Sequence, residues 1–184
     1  MTATMSLDVI AYHEAGHAAA GIILGIGLIY IRIVKGEDGL VGVKPKTNPF
    51  PEKRPPYNPP GEFTGDEWAE LSNSDEKWKE WQRKDNEKYT LYYLAGKAAQ
   101  IKYAGTAKDD EAKADYSFVQ HRMPLCYARL GELEMVAREF VEAHWAAIEA
   151  IAKELLKRSE LTPAEVEEII RRVMPEVKLR KPLS

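Results

Sequence analysis

The stretch A-Y-H-E-A-G-H-A-A-A-G, residues 11–21, places two histidines and a glutamate among small and apolar side chains. Ser6 is suited to cap a helix that begins there, and Asp8 would stabilise its first turn. Gly25 interrupts the apolar run that follows, so we predict a helix over residues 7–24. Since the neighbours of the polar residues are Ala, Gly, Ile and Leu, we expect this helix to be buried on most sides.

The spacing of the polar residues in this helix is that of a metal site. His13 and His17 are four residues apart, so a helix places both imidazole rings on one face, one turn apart. Glu14 completes the pattern H-E-x-x-H, in which the glutamate acts as a general base on a zinc-bound water. Both histidines could instead be core residues with hydrogen-bond partners. Three clustered polar groups cost several kcal/mol in an apolar setting unless something satisfies them, so we predict zinc.

A catalytic zinc site needs a third protein ligand and an open fourth position. Extension of the motif to H-E-x-x-H-x-x-G-x-x-H is excluded, because Ala20 and Ile23 stand where it requires glycine and histidine. The third ligand must therefore come from farther along the chain.

Composition restricts the class of protein. The chain has 184 residues, of which 45% are hydrophobic and 30% charged, and we expect one globular domain over residues 1–184. A net charge of −3 gives no reason to expect nucleic acid as a partner. The single cysteine excludes a disulfide within the chain and suits a reducing compartment, so we expect a cytoplasmic protein. The apolar run at 18–34 contains three glycines and Arg32, which argues against a membrane span.

The segment after the first helix predicts a hairpin and then an insertion. Residues 28–34 and 40–44 are typical of strands, with a turn at 35–39, and the second strand would be a sheet edge onto which a substrate peptide could add. Residues 45–61 hold seven of the eleven prolines, and residues 62–83 hold three of the four tryptophans. We interpret 45–85 as an insertion, either a surface lobe with its own small core or a lid contacting substrate through Tyr57, Phe63 and Trp68.

The rest of the chain predicts helices. Ser74 and Gly105 delimit a long helix over 75–104, and a shorter one should begin near residue 109 or 113 and end before Pro124. Residues 132–158 form one amphipathic helical stretch, and a capping box at Thr162 begins a last helix that runs to residue 173. The predicted fold class is therefore mainly α (α+β), with a small β-hairpin after the metal-binding helix.

Several segments, in order along the chain, resemble one family. Residues 12–18, Y-H-E-A-G-H-A, are similar to the active-site helix of the FtsH-type zinc metallopeptidases. Residues 31–33 with 39–43 resemble the hairpin that follows it, and residues 94–99, L-A-G-K-A-A, resemble the family's second helix. Residues 144–152 and 162–170 look like its C-terminal helix pair. The resemblance covers most of the chain outside about residues 45–85.

The resemblance implies a helical, zincin-like peptidase domain with an aspartate as third zinc ligand, at the start of the helix after the second motif. Asp109, Asp110, Glu111 and Asp115 lie in that region, with His121 as a rival ligand. Asp115 fits better than Asp110, because its spacing from Lys97 matches the family and apolar residues follow it in the new helix. The sequence departs from the family in two respects. Gln100 stands where a glutamate is usual, and no G-x-x-x-x-G-K-[ST] motif occurs, so powered unfolding of substrates is not expected.

The predicted function is that of a soluble, ATP-independent zinc metallopeptidase. His13, His17 and Asp115 would bind Zn²⁺, and Glu14 would be the base. The substrate would be a peptide or an unfolded protein, and the sequence leaves open a homo-oligomer or a separate delivery partner. The alternative is a catalytically inactive zinc-binding interaction protein that retains the fold. Glu14 favours the enzyme, because a purely structural zinc site needs no base.

Overall fold

The structure, a computed structural model, describes residues 6–26, 28–33, 64–106, 113–122 and 128–180. These residues form seven helices and one two-stranded sheet, which confirms the predicted mainly helical class. None of the described helices is both long enough and apolar enough to cross a membrane. In chain order the elements are α1 (Leu7–Ile23), β1 (Ile31–Arg32), α2 (Gly65–Ser72), α3 (Asp75–Ala104), α4 (Lys113–Arg122), α5 (Leu130–Ala143), α6 (Trp145–Arg158), β2 (Glu160–Leu161) and α7 (Pro163–Val173).

Helix α1 is the central element of the core. The Ser6 hydroxyl accepts the Val9 N–H at its start, and Gly25, with φ of 71°, follows its end, as the sequence predicts to within a residue. Every residue from 10 to 21 is buried, because α1 packs against α3 on one side and α6 on another, with α7 also in contact. A helix surrounded in this way needs small and apolar residues all round it.

Small residues let α1 and α3 approach closely. A β-carbon on Gly16 would lie 2.5 Å from the Ala95 carbonyl oxygen and 2.8 Å from the Ala99 β-carbon. Contacts this short do not occur between real side chains, so only glycine fits at this crossing. The crossing fixes α3 against the part of α1 that carries the polar motif.

Helix α3 has the ends that the sequence predicts. The Ser74 side chain accepts the Lys77 N–H at 3.2 Å, and Gly105 ends the helix in the left-handed conformation with φ of 78°. Its amide donates to the Ile101 carbonyl at 2.8 Å. α3 therefore runs unbroken from the tryptophan-rich segment to the centre of the core.

The sheet pairs two segments that are far apart in sequence. Ile31 lies opposite Leu161 and Arg32 opposite Glu160 in an antiparallel register, with Arg32 Nε donating to Glu160 Oε2 at 2.9 Å. Within the described part of the predicted strand, residues 28–33, a ladder forms at residues 31–32. The predicted turn at 35–39 and second strand at 40–44 lie outside the described residues, and so does the substrate-binding edge expected there.

The prediction of one continuous helix over residues 132–158 is wrong. The helix ends at His144, whose φ and ψ of −115° and 18° are not helical. The backbone N–H of His144 donates to the Phe140 carbonyl at 3.0 Å, and its Nδ1 donates to the same oxygen at 2.7 Å. The break lets α5 pack on α3 while α6 packs on α1, which one straight helix could not do.

The described part of the predicted insertion consists of α2 and the first turns of α3; residues 45–63, including Tyr57 and Phe63, lie outside the described ranges. Trp68 of α2 meets Trp78 edge-on with ring centroids 6.4 Å apart, and Trp78 stacks on Trp81 at 4.9 Å. Trp78 is buried. The three rings form a small apolar cluster, and the role of this segment as a lid stays a prediction.

Candidate metal centre

Three predicted site residues from two helices meet at one point. His13 and His17 of α1 have their Nε2 atoms 3.0 Å apart, and Asp115 of α4 places Oδ2 3.3 Å from each of them. Both histidines are buried, and the Asp115 side chain is 18% exposed. The structure thus brings together residues separated by about a hundred positions in sequence, in an arrangement that could hold a metal ion.

Hydrogen bonds at the other ring nitrogens fix the tautomers of both histidines. His17 Nδ1 lies 2.9 Å from the carbonyl oxygen of Tyr92, which can only accept, so Nδ1 carries the proton. His13 Nδ1 lies 3.1 Å from Gln100 Oε1, which also accepts. In neutral imidazoles both Nε2 atoms then present lone pairs to each other and to the Asp115 carboxylate. Three acceptors this close repel one another unless a metal ion or a proton lies between them.

The electrostatics of the cluster agree with this requirement. Burial alone would lower the pKa of His17, but the charge of Asp115 and its hydrogen bond, together with Glu14 and the Tyr92 carbonyl, raise it to about 9. Burial likewise acts to raise the pKa of Asp115, yet the two histidines hold it well below its usual range. Without a metal ion, the cluster therefore attracts a proton.

The spacing of the three donor atoms fits tetrahedral coordination. Zinc binds imidazole nitrogen and carboxylate oxygen at about 2.0–2.2 Å, and a tetrahedron with bonds of about 2.0–2.1 Å has edges of about 3.3–3.4 Å. The observed separations of 3.0, 3.3 and 3.3 Å are close to such edges. Two imidazoles and one carboxylate, all held by protein contacts, are also a ligand set that zinc accepts, with one position left for another ligand.

Glu14, the predicted base, is buried beside the cluster. Its side chain is 1% exposed, and its negative charge contributes to the raised pKa of His17 and, after burial and Tyr93, to that of Tyr92. Glu14 therefore lies within electrostatic range of His17 and Tyr92, although it is not one of the three converging residues. The H-E-x-x-H pattern predicts a general base at this place, and that role stays a prediction.

Three residues on one face of α3 lie beside the two histidines. Tyr92, Gly96 and Gln100 recur every four residues, so they share one helix face. The first and last bind the Nδ1 atoms, and a β-carbon on Gly96 would lie 2.3 Å from His17 Nε2. In the sequence, Gln100 stands out only as a departure from the family. Tyr92 acts through its backbone carbonyl, which has no sequence signal, so the detectable signal was a glycine and an amide four residues apart in a helix rich in alanine.

Apolar contacts hold α4 so that it presents Asp115. The Phe118 ring stacks on Tyr93 of α3 with centroids 4.2 Å apart, and Val119 is fully buried. Phe118 and Val119 are three and four residues after Asp115, so the three side chains point the same way. The competing candidates Asp109, Asp110 and Glu111 lie outside the described residues, as does the side chain of His121.

Comparisons with protein-family models and with curated proteins find no match for this chain. The resemblance to the FtsH-type peptidases therefore depends on the motifs of the sequence itself.

Proposed function

We propose that this protein is a zinc-dependent metallopeptidase. The observation that carries the proposal is the convergence of three acceptor atoms, His13 Nε2, His17 Nε2 and Asp115 Oδ2, within 3.3 Å of one another in a buried setting. A buried trio of acceptors is unfavourable without a cation, and the donor set suits zinc. The adjacent buried glutamate favours catalysis over a purely structural role.

Each residue has a distinct role in this mechanism. Zinc held there would act as a Lewis acid and supply a nucleophile from water near neutral pH. Glu14 would accept a proton from the attacking water and pass it to the leaving amine as the peptide bond breaks. Tyr92 and Gln100 would keep the Nε2 lone pairs of the two histidines directed at the ligand site by holding their Nδ1 protons.

The substrate class follows from the same proposal. A peptide or a loosely folded protein segment would be cleaved without ATP, in the cytoplasm, and a second copy or a delivery protein could present it. The motif resemblance to FtsH-type peptidases supports this substrate class.

Metal content tests the ligand set. The purified wild type should hold one zinc per chain, and His17→Ala should hold none. Asp115→Ala should weaken zinc binding strongly, whereas Asp110→Ala should leave it intact. Release of zinc by the Asp110 change but not by the Asp115 change would show that the third ligand was assigned wrongly.

Turnover tests the reaction. Wild-type protein should hydrolyse unfolded casein, and a chelator should abolish this activity. Glu14→Gln should keep zinc and lose activity by roughly 10²-fold or more, the usual scale for acid–base groups. A wild type that binds zinc at stoichiometry but cleaves no unfolded substrate would instead favour the inactive interaction protein.

A further inference from the structure

A chain of polar contacts ties α4 to the two helices beside it. Lys97 of α3 donates from Nζ to the Tyr116 hydroxyl at 3.0 Å and also lies 4.3 Å from the centre of the Tyr116 ring. The Tyr116 hydroxyl in turn donates to Glu134 Oε1 of α5. The phenol thus sits between a cation and an anion that belong to different helices. We call Lys97, Tyr116 and Glu134 the tyrosine clamp.

The clamp is directly connected to the candidate metal centre. Tyr116 is the residue after Asp115, so the hydrogen bonds that hold its hydroxyl anchor the same turn of α4 that carries the carboxylate. Lys97 is the residue after Gly96, where a β-carbon would lie 2.3 Å from His17 Nε2. The hydrogen bond between Lys97 and Tyr116 therefore joins two residues whose chain neighbours, Gly96 and Asp115, help to set the positions of the ligands.

Packing around the clamp is incomplete, so the polar bonds matter for position. A pocket of about 150 Å³, open to solvent on one side, lies beside it, lined by Leu94, Ala98 and Ile101 of α3 and by Ala137 and Arg138 of α5, together with the clamp residues. Close-packed interiors fix helix spacing by contact, and the helices that line this pocket lack such contacts across it. The hydrogen bonds of the clamp therefore act together with the apolar contacts of Phe118 and Val119 to set how far α4 stands from α3 and α5.

We propose that the tyrosine clamp positions Asp115 for metal binding. Its members touch neither metal nor substrate and act through the placement of α4. The inference rests on the proposed zinc site and adds to it residues outside the H-E-x-x-H motif. A displaced carboxylate cannot complete the tetrahedral coordination of zinc. Loss of the clamp therefore lowers zinc affinity more than it lowers the stability of the fold.

Tyr116→Phe is the direct test, because it removes only the hydroxyl and keeps the ring. Zinc affinity should fall about 10–100-fold, the range usual for groups that orient a ligand. The Co²⁺ absorption spectrum of the variant should shift toward that of Asp115→Ala. The melting temperature of the metal-free protein should change by no more than about 2–4 °C, the shift typical of a small change in a chain of this size.

A double-mutant cycle tests whether Tyr116 affects zinc affinity through the position of Asp115 or independently of it. Once Asp115 is replaced by Ala, the clamp has no ligand to position, so adding Tyr116→Phe should change zinc affinity by less than about 2-fold. Lys97→Met provides a second variant and should weaken zinc in the same direction as Tyr116→Phe. Lys102→Met is the matched control: this lysine also joins α3 to α5, through Glu142, but touches no residue of α4 in any described contact, and zinc affinity should stay unchanged.

The outcomes distinguish the clamp from the site on which it rests. A wild type without stoichiometric zinc or cobalt would refute the proposed function and the clamp together. A wild type that binds zinc, with Tyr116→Phe and Lys97→Met equal to it, would overturn the clamp alone. Additive losses in the Asp115→Ala, Tyr116→Phe pair would also overturn it, since they would mean that Tyr116 acts independently of Asp115.

Discussion

At the scale of single residues, Gly96 leaves no room for a side chain beside the candidate metal centre. A β-carbon there would lie 2.3 Å from His17 Nε2 and 2.7 Å from Cε1. Rotation of the His17 ring away from this β-carbon would break the hydrogen bond from its Nδ1 to the Tyr92 carbonyl, which is 2.9 Å long. Helix propensity favours alanine over glycine by up to about 1 kcal/mol, so steric conflict and propensity oppose each other at this position.

We expect Gly96→Ala to disable the metal centre. Overpacking in a well-packed core typically costs about 1–3 kcal/mol of unfolding free energy, which exceeds the gain in helix propensity. The displaced His17 ring should lower zinc affinity by at least about 10-fold. Chemical unfolding of the metal-free protein and zinc titration measure the two effects.

Gly131→Ala is the control for Gly96→Ala. Gly131 lies in α5, and a β-carbon there would meet nothing within 4 Å. This change should be neutral or stabilise by up to about 1 kcal/mol, with zinc binding unaltered. If Gly96→Ala behaved in the same way, the close approach of Gly96 to His17 would not matter for stability or zinc binding.

At the scale of elements, α7 is fastened by a capping box and an ion pair. The Thr162 N–H donates to Glu165 Oε2 at 2.7 Å, and Arg158 at the end of α6 donates to Glu165 Oε1 at 2.5 Å. These bonds lower the pKa of Glu165 to about 2. Since α7 buries Val166, Ile169 and Ile170 in the core, its start affects the whole fold.

The lowered pKa of Glu165 predicts a pH dependence of stability. A carboxyl group whose pKa is lower in the folded state stabilises the fold above its ordinary pKa of 4.5, and this contribution disappears as the pH falls through about 2. Glu165→Gln removes the charge but keeps an acceptor for the Thr162 N–H. The variant should therefore unfold at lower urea concentration than wild type at pH 7, and the difference should shrink between pH 4.5 and 2.

Glu67→Gln is the control for Glu165→Gln. Glu67 makes the same capping box with Thr64 at the start of α2, but no residue of α2 is buried. Its replacement should hardly change the global unfolding midpoint at any pH. A pH-independent difference for Glu165→Gln would contradict the linkage argument and assign its effect to packing.

At the scale of the whole molecule, the candidate metal centre joins helices that are distant in sequence. His13 and His17 come from α1, Asp115 comes from α4, and α3 binds both histidines from behind. An ion held by these ligands would therefore connect α1 directly to α4, with α3 joined through its hydrogen bonds to the histidines. Because the unfolded chain holds no such arrangement, binding free energy adds to the free energy of unfolding.

Zinc should raise the thermal stability of the wild type. At a free zinc concentration about 100 times Kd, mass action stabilises the folded state by about 2.7 kcal/mol. For a chain of this size that corresponds to an increase in Tm of roughly 5–11 °C. Scanning calorimetry with and without zinc measures the shift, and a chelator should reverse it.

His13→Ala should remove the response of Tm to zinc. An equal shift in this variant would show that zinc stabilises the protein at some other place. Comparison at one zinc concentration is sufficient, because the variant lacks one of the three converging donors.

The sequence by itself determined the ends of three helices and the part of the candidate site that lies on α1. Side-chain caps and terminal glycines act within a few residues, so the bounds of α1, α3 and α7 were predictable to within about a residue. The placement of His13, Glu14 and His17 on neighbouring faces of one helix follows from helical geometry alone. Spacing and resemblance also selected Asp115, although they could not place it in space.

Only the tertiary structure decided which distant groups complete the site. The contacts of Tyr92, Gly96 and Gln100 with the histidines depend on the close crossing of α1 and α3, and the pairing of Ile31 with Leu161 depends on how α6 returns across α1. The break at His144 likewise arises because α5 and α6 pack on different helices. Such contacts arise from the packing of many side chains at once, and no local pattern in the sequence encodes that packing.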